Sequence, residues 1–196
     1  MSVLVGKSAP DFTAPVVNAD NTFGELSMSE YKGKYVVLFF YPLDFTFVCP
    51  SEIIAFNTRL KDFKDRGVEV IGVSIDSHFT HLAWKNTPVN NGGIGNVQYP
   101  LVADIDKSVT NAYDLYTAPG IALRGSFLID KEGIVQHQVV NNLGLGRSID
   151  EMLRMVDALQ FTEKHGEVCP ANWQAGDDAM TPSAEGVAEY LTKHAK

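Results

Sequence analysis

The sequence contains two cysteines, Cys49 and Cys169, which are the side chains best suited to nucleophilic or redox chemistry. Two cysteines are too few for a disulfide framework, and they could form a structural zinc site only with histidines as further ligands. In a reducing cytosol such a pair is either inert, packed as small apolar side chains, or transiently redox-active. The residues around each cysteine decide between these alternatives.

Cys49 directly precedes Pro50 and a pattern of apolar residues at helical spacing, so we expect it to be the N-cap of a helix. The N–H groups exposed at a helix N-terminus stabilise an anion, and the thiolate is the reactive form of cysteine. Oxidoreductases with a Cys-x-x-Cys turn carry two sulfurs here, whereas this chain has Thr46 at the first position. A local disulfide is therefore impossible, and what remains is one activated sulfur with a hydroxyl three residues upstream that could hold a substrate oxygen.

The apolar pattern predicts a βαβ unit around Cys49. Residues 35–40 are uniformly apolar and rich in β-branched and aromatic side chains, which is typical of a strand covered on both faces. A helix then runs from Pro50 until Gly67 ends it, and residues 68–75 form a second core strand.

The rest of the chain adds helices and an antiparallel hairpin. The predicted elements are a helix capped by Ser77 and stopped by Pro88, a short helix at 106–113, paired strands at 126–130 and 134–140, and a helix that begins with the capping box Ser148 and Glu151. This order predicts an α/β protein with the thioredoxin-like fold, in which a central mixed sheet has helices on both faces.

The C-terminal part of the sequence loses periodicity beyond Phe161, where glycines and prolines interrupt it before a short amphipathic stretch at 187–193. We therefore predict one domain over residues 1–161. Residues 162–196 are predicted to form an extended, mobile arm that carries Cys169.

The segment at 42–50, PLDFTFVCP, resembles the active-site signature of the peroxiredoxins, Pro-x-x-x-Thr-x-x-Cys. It has the form found in the typical two-cysteine branch, which includes bacterial alkyl hydroperoxide reductase C. Further segments are similar to that branch in the same order, at 77–84, 124–130, 146–148 and 166–173. The resemblance covers nearly the whole chain, and so many ordered matches are highly specific.

The resemblance implies a role for each residue around the sulfur. Cys49 resembles the peroxidatic cysteine, while Thr46 and Arg124 resemble the groups that hold and polarise the peroxide. Pro42 corresponds to the residue that shields the sulfur. Donors aimed at the two oxygens as the O–O bond breaks are needed because ionisation of the thiol alone does not make a fast peroxidase.

The resemblance also implies the residues and partners of the later steps. Glu52 and Arg147 match positions that orient Arg124 by hydrogen bonding, and Cys169 matches the resolving cysteine, contributed by the partner subunit of an obligate dimer. The implied enzyme reduces hydrogen peroxide and organic hydroperoxides through a sulfenic acid and an intersubunit disulfide. A thioredoxin-like protein or a flavoprotein disulfide reductase resets it, its dimers assemble into a decamer, and it needs no cofactor.

Charge and hydropathy exclude other classes of partner. The chain has 16 Lys and Arg against 24 Asp and Glu, a net charge of −8, so it has no basic surface to release counterions from nucleic acid. It also has no apolar run of about 18 residues and no signal-like start. We therefore expect a cytoplasmic protein that binds neither nucleic acid nor membranes.

His78 and His81 lie three residues apart on one predicted helix, a spacing that can indicate metal ligands. No third ligand is close in sequence, so we assign both to a solvated face and predict no metal site.

Three alternative functions use the same residues. A thiol–disulfide oxidoreductase is disfavoured by Thr46, which stands where the other sulfur of the turn would be. A holdase chaperone and a slow, peroxide-sensing redox relay remain open.

Overall fold

The computed structural model describes residues 2–195. The chain forms two compact units, the first ending at Ile149 and the second beginning at Asp150. None of the described helices combines the length and the apolar character needed to cross a membrane.

The first unit is built on one mixed sheet. Within the described residues its strands are β1 (Thr13–Val17), β2 (Phe23–Ser27), β3 (Tyr35–Phe40), β4 (Val68–Ser74), β5 (Leu101–Ala103), β6 (Arg124–Ile129) and β7 (Val135–Asn141). They lie in the order β2-β1-β5-β4-β3-β6-β7. β3, β4 and β5 are parallel neighbours, and the other pairings are antiparallel.

The strand that leads to Cys49 lies in the interior of the sheet. β3 pairs with β4 on one side and with β6 on the other, and all six of its residues are buried. Val36, Leu38 and Phe40 pack into the main apolar cluster with residues such as Ile71 and Phe127. Burial on both faces explains why this segment is apolar without alternation, and it confirms the predicted core strand.

The helices of the first unit are α1 (Cys49–Thr58), α2 (Leu60–Asp65), α3 (His78–Asn86) and α4 (Ser108–Ala112). The prediction of one continuous helix after Pro50 was wrong, because the backbone leaves helical geometry at Arg59 (φ −97°, ψ 9°) and separates α1 from α2. Cys49 is also one position further into the helix than predicted. Val48 is the N-cap, and Pro50 at the second helical position still falls where the missing N–H costs nothing.

Sequence analysis missed β1, β2 and β5. β5 has only three residues, and β1 contains Pro15, which lowers the strand signal. These strands are nevertheless fixed by the tertiary structure, because β1 pairs with both β2 and β5.

The second unit contains α5 (Ile149–His165) and α6 (Ala184–His194). α5 continues past Phe161, where the periodicity fades, and α6 is longer than the predicted amphipathic stretch. The connection between them is not irregular throughout, since Val168 and Met180 form an antiparallel bridge. Trp173 is buried, and its Nε1 donates to Asp177 O at 3.1 Å.

Candidate active site

Cys49 is fully buried at the start of α1, with two donors directed at its sulfur. Thr46 Oγ1 lies 3.0 Å from Cys49 Sγ, and Arg124 Nη1 lies 3.3 Å from the same atom. The Thr46 hydroxyl also lies 2.8 Å from Leu43 O, so its single proton can be shared between a carbonyl and the sulfur. A thiolate attracts that proton more strongly than a thiol does, because a hydrogen bond to a charged acceptor is stronger.

The loop that carries Thr46 has a strained backbone. Phe45 adopts a left-handed conformation with φ +53°, which a non-glycine side chain occupies at a cost of ~1 kcal/mol. The preceding residue, Asp44, is fixed by two hydrogen bonds. Asp44 N–H donates to Asp76 Oδ2 at 2.8 Å, and Tyr41 OH donates to Asp44 Oδ1 at 2.9 Å.

The assignment of His81 to a solvated face was wrong. His81 is fully buried, with Nδ1 2.7 Å from Asp44 Oδ2 and Nε2 3.1 Å from Val102 O. Because Val102 O can only accept, Nε2 carries a proton, and a second proton lies between Nδ1 and the carboxylate. Burial raises the pKa of Asp44, and the contact with His81 opposes that rise.

His78 differs from His81 although both lie on α3. It is half-buried and packs against Phe23 and Phe79, at ring distances of 4.8 and 4.2 Å. Across residues 2–195, no cluster of three or more His, Cys, Asp or Glu side chains has the arrangement of a metal site.

Arg124 begins β6 and is held in a fixed orientation. Its Nε and Nη2 both donate to Leu143 O, at 2.8 and 2.7 Å, and its Nη1 donates to Glu52 Oε2 at 2.7 Å. The guanidinium is planar, so these bonds direct the edge of Nη1 toward Cys49 Sγ.

Glu52 lies on α1 one turn after Cys49 and joins the two predicted arginines. Its Oε1 accepts from Arg147 N–H at 3.0 Å and from Arg147 Nε at 2.8 Å, while its Oε2 accepts from Arg147 Nη2 at 3.0 Å. Arg147 Nη1 donates further to Phe40 O at 2.7 Å. Burial lowers the pKa of Arg147, and the neighbouring Glu52 opposes that shift.

The charges around the sulfur do not cancel without it. Two buried guanidiniums, Arg124 and Arg147, face one buried carboxylate, Glu52. The two arginines and Glu52 therefore leave one positive charge uncompensated among these three buried side chains.

Two predicted residues remain, Pro42 in the first unit and Cys169 in the second. Pro42 is buried directly after β3, in the loop that leads to Thr46. Cys169 is a half-buried free thiol in the second unit, with Sγ 3.6 Å from Ala158 O and 3.7 Å from Thr162 Oγ1.

Two parts of the site were missed by sequence analysis. Asp44 and His81 are distant in sequence, and the one available signal was that Asp44 is the single charged residue between β3 and α1. Leu143 contributes a backbone oxygen, for which the sequence carries no signal.

A buried cysteine at a helix N-terminus that faces an arginine and has no second sulfur in its turn is suited to act as a single nucleophile. The comparisons with known proteins identify its class, the thiol-dependent peroxidases. Residues 5–138 match the AhpC/TSA family, and residues 158–193 match the C-terminal domain of 1-Cys peroxiredoxin.

Similar proteins cover nearly the full chain. Peroxiredoxin-2 of Mus musculus is 56% identical over 97% of this chain and 96% of its own length. Alkyl hydroperoxide reductase C of Helicobacter pylori J99 is 58% identical over 98% of each. The crystal structure of reduced Plasmodium vivax 2-Cys peroxiredoxin matches with a TM-score of 0.96 and 55% identity, covering 97% of this chain and all of that one.

The chain therefore belongs to the AhpC/TSA family of peroxiredoxins. It is an enzyme, a thiol-dependent peroxidase, and the predicted thioredoxin-like fold is confirmed.

Proposed function

We propose that Cys49 is the peroxidatic cysteine of this enzyme. Its thiolate attacks one oxygen of a peroxide, the O–O bond breaks, and the products are a Cys49 sulfenic acid and water or an alcohol. The observation that carries the proposal is the contact of Cys49 Sγ with both the Thr46 hydroxyl and the Arg124 guanidinium. A preorganised donor of this kind can lower the barrier by ~3 kcal/mol.

The supporting residues act through Arg124 and the loop. Glu52 and Arg147 hold the guanidinium in the orientation that meets the sulfur, and Pro42 shields the sulfur from water. The name of the Helicobacter relative, alkyl hydroperoxide reductase C, supports organic hydroperoxides as substrates beside hydrogen peroxide.

Cys169 is proposed to be the resolving cysteine. Its thiol condenses with the Cys49 sulfenic acid of a partner subunit, forming a disulfide and releasing water. In this assignment residues 1–161 are the peroxidase domain and residues 162–196 are the arm that delivers Cys169. Dimers joined in this way assemble into a decamer.

A thioredoxin-type dithiol reductant closes the cycle by reducing that disulfide. We propose a cytoplasmic location, where a thioredoxin-like protein or a flavoprotein disulfide reductase serves as the donor. One relative of known structure, from Plasmodium yoelii, is named thioredoxin peroxidase I, which supports the first of these donors.

Rapid mixing of the reduced protein with peroxide tests both cysteines. Trp84 packs 5.6 Å from Phe45 in the active-site loop, so its fluorescence reports events at Cys49. We expect a fast change that is absent in Cys49→Ser and retained in Cys169→Ser. A fast change that survives in Cys49→Ser contradicts the proposal.

A second measurement tests the intersubunit disulfide. Equimolar Cys49→Ser and Cys169→Ser proteins, mixed and treated with peroxide, should yield covalent dimers on a non-reducing gel. Either variant alone should yield few covalent dimers. A disulfide formed within a single subunit of the wild-type protein would contradict the pairing between subunits.

A further inference from the structure

Tyr99 makes a buried contact with the helix that carries Cys49. It lies just before β5, is almost completely buried, and its hydroxyl donates to Ile53 O at 2.8 Å. Burial holds the pKa of Tyr99 well above its usual range, so the phenol keeps its proton and remains a donor. Ile53 is four residues after Cys49, so this bond is made at the end of the first turn of α1.

The segment around Tyr99 is itself well anchored. Gln98 N–H donates to Asn57 Oδ1 at 2.8 Å, one turn further along α1, and Pro100 O accepts from Gly72 N–H of β4 at 3.1 Å. The Tyr99 ring also packs edge-on against Phe39 of β3 at 5.8 Å. A segment fixed to two strands therefore holds α1 at Ile53 and at Asn57.

The turn before Ile53 is held by different contacts. Cys49 is bonded through its sulfur, and Glu52 through its carboxylate to Arg124 and Arg147. These contacts involve the groups that take part in the reaction, whereas the Tyr99 bond involves only the backbone of Ile53.

A disulfide at Cys49 requires this first turn to open. The Cβ atoms of two bonded cysteines lie about 4 Å apart, and Cys49 is fully buried, so a second cysteine cannot approach it in the folded helix. After Cys49, Ile53 is the first residue of α1 whose backbone bonds to a distant part of the chain that takes no part in the reaction.

We propose that Tyr99 is a positioning residue for the resolving step: its hydroxyl fixes Ile53 as the point where unwinding of α1 stops, and so sets the share of Cys49 sulfenic acid that becomes disulfide. This inference rests on the proposed function. The sulfenic acid has two fates, condensation with the Cys169 thiol to a disulfide and water, or oxidation by a second peroxide to sulfinic acid and water or an alcohol. Easier unwinding favours the first fate.

The Tyr99→Phe variant removes only the hydroxyl. A net hydrogen bond is worth ~1 kcal/mol, so we expect the ratio of the rate of disulfide formation to the rate at which the sulfenic acid is oxidised to sulfinic acid to rise about fivefold. The peroxide concentration at which half of Cys49 becomes sulfinic acid should rise by about the same factor. The two rates are read from fluorescence phases after rapid mixing, and sulfinic acid from the mass of the intact protein.

Tyr113→Phe is the matched control. Tyr113 is also buried, and its hydroxyl donates to a backbone oxygen, Pro10 O at 3.0 Å, so it loses the same atom and a similar bond. Its ring packs on Phe12, Phe40 and Phe127 rather than on α1. A merely structural role for Tyr99 would make the two variants alike in unfolding temperature and in partition.

The outcomes separate the inference from the proposed function. If Tyr99→Phe matches Tyr113→Phe in partition, or if it becomes more readily over-oxidised, the role of Tyr99 is refuted while rapid oxidation of Cys49 still stands. If wild-type Cys49 itself reacts slowly with peroxide, the proposed function fails first. In Asn57→Ala, which loses only the exposed contact with Gln98, a smaller rise in the ratio of disulfide formation to over-oxidation would support the inference.

Discussion

At the scale of single residues, the site depends on the shape of Arg124 as much as on its charge. The side chain meets three partners at once, namely Leu143 O, Glu52 and the sulfur of Cys49. An ammonium group carries the same charge but cannot hold a carbonyl, a carboxylate and a sulfur in one plane.

Arg124→Lys should therefore slow the oxidation of Cys49 by about 100-fold, since one aligned donor is worth ~3 kcal/mol in the transition state. The second-order rate with hydrogen peroxide measures this effect. Arg59→Lys is the control, because Arg59 forms a partly exposed ion pair with Asp62 and should leave the rate unchanged. A loss of less than threefold in Arg124→Lys would show that charge alone is sufficient.

At the scale of elements, α3 connects the active-site loop to the hairpin of β1 and β2. His81 binds Asp44 in the loop, and Lys85, one turn later, donates to Asn18 O at 2.7 Å in the hairpin turn. Both side chains are buried, although the sequence pattern assigns polar residues of a helix to solvent. The packing of α3 against the turn overrides that pattern.

Lys85 predicts a dependence of stability on pH. Burial lowers the pKa of Lys85 to about 8 from 10.5. Between these values the unfolded chain binds more protons than the folded one, so the contribution of Lys85 to stability rises as pH increases from about 8 to about 10.5. Below about 8 the folded state bears the cost of a buried charge.

The difference in unfolding free energy between wild type and Lys85→Met measures this contribution. We expect it to shift in favour of the wild type by about 1–2 kcal/mol between pH 7.5 and 10, with Lys61→Met, an exposed lysine, showing no such shift. A difference that is flat with pH would mean that Lys85 titrates as in water.

At the scale of the whole molecule, the exposed aromatic side chains are the feature that a folded monomer does not explain. Phe79 is 65% exposed and packs against Phe23, itself 46% exposed, at a ring distance of 5.2 Å. Phe47 in the active-site loop is 96% exposed. Exposed aromatic clusters are typical of surfaces that associate. In the proposed decamer, the surface formed by Phe23 and Phe79 contacts a second dimer of the same chain.

Phe79→Arg should break that association. A charge placed among aromatic rings at an interface is desolvated without a partner, so sedimentation velocity should show dimers in place of decamers. Ile105→Arg, at a residue of similar exposure (57%) between β5 and α4, should leave the assembly intact. Decamers that persist in Phe79→Arg would remove this surface from the proposed assembly.

The sequence by itself determined the fold class, the core strand β3 and the presence of a helix starting next to Cys49, because a continuous apolar run and a helical repeat are local signals. The resemblance identified Thr46, Arg124, Glu52 and Arg147, and the structure brings them into contact around the sulfur. β1, β2 and β5 were beyond local reasoning, since short strands owe their stability to partners distant in the chain.

Only the tertiary structure decided which polar side chains are buried and what they bind. His81, Lys85 and Tyr99 each satisfy a buried donor or acceptor that comes from another part of the chain, at Asp44, Asn18 and Ile53. Such contacts leave no periodic trace in the sequence, because they depend on which loops the sheet brings together and not on the spacing of residues along one element.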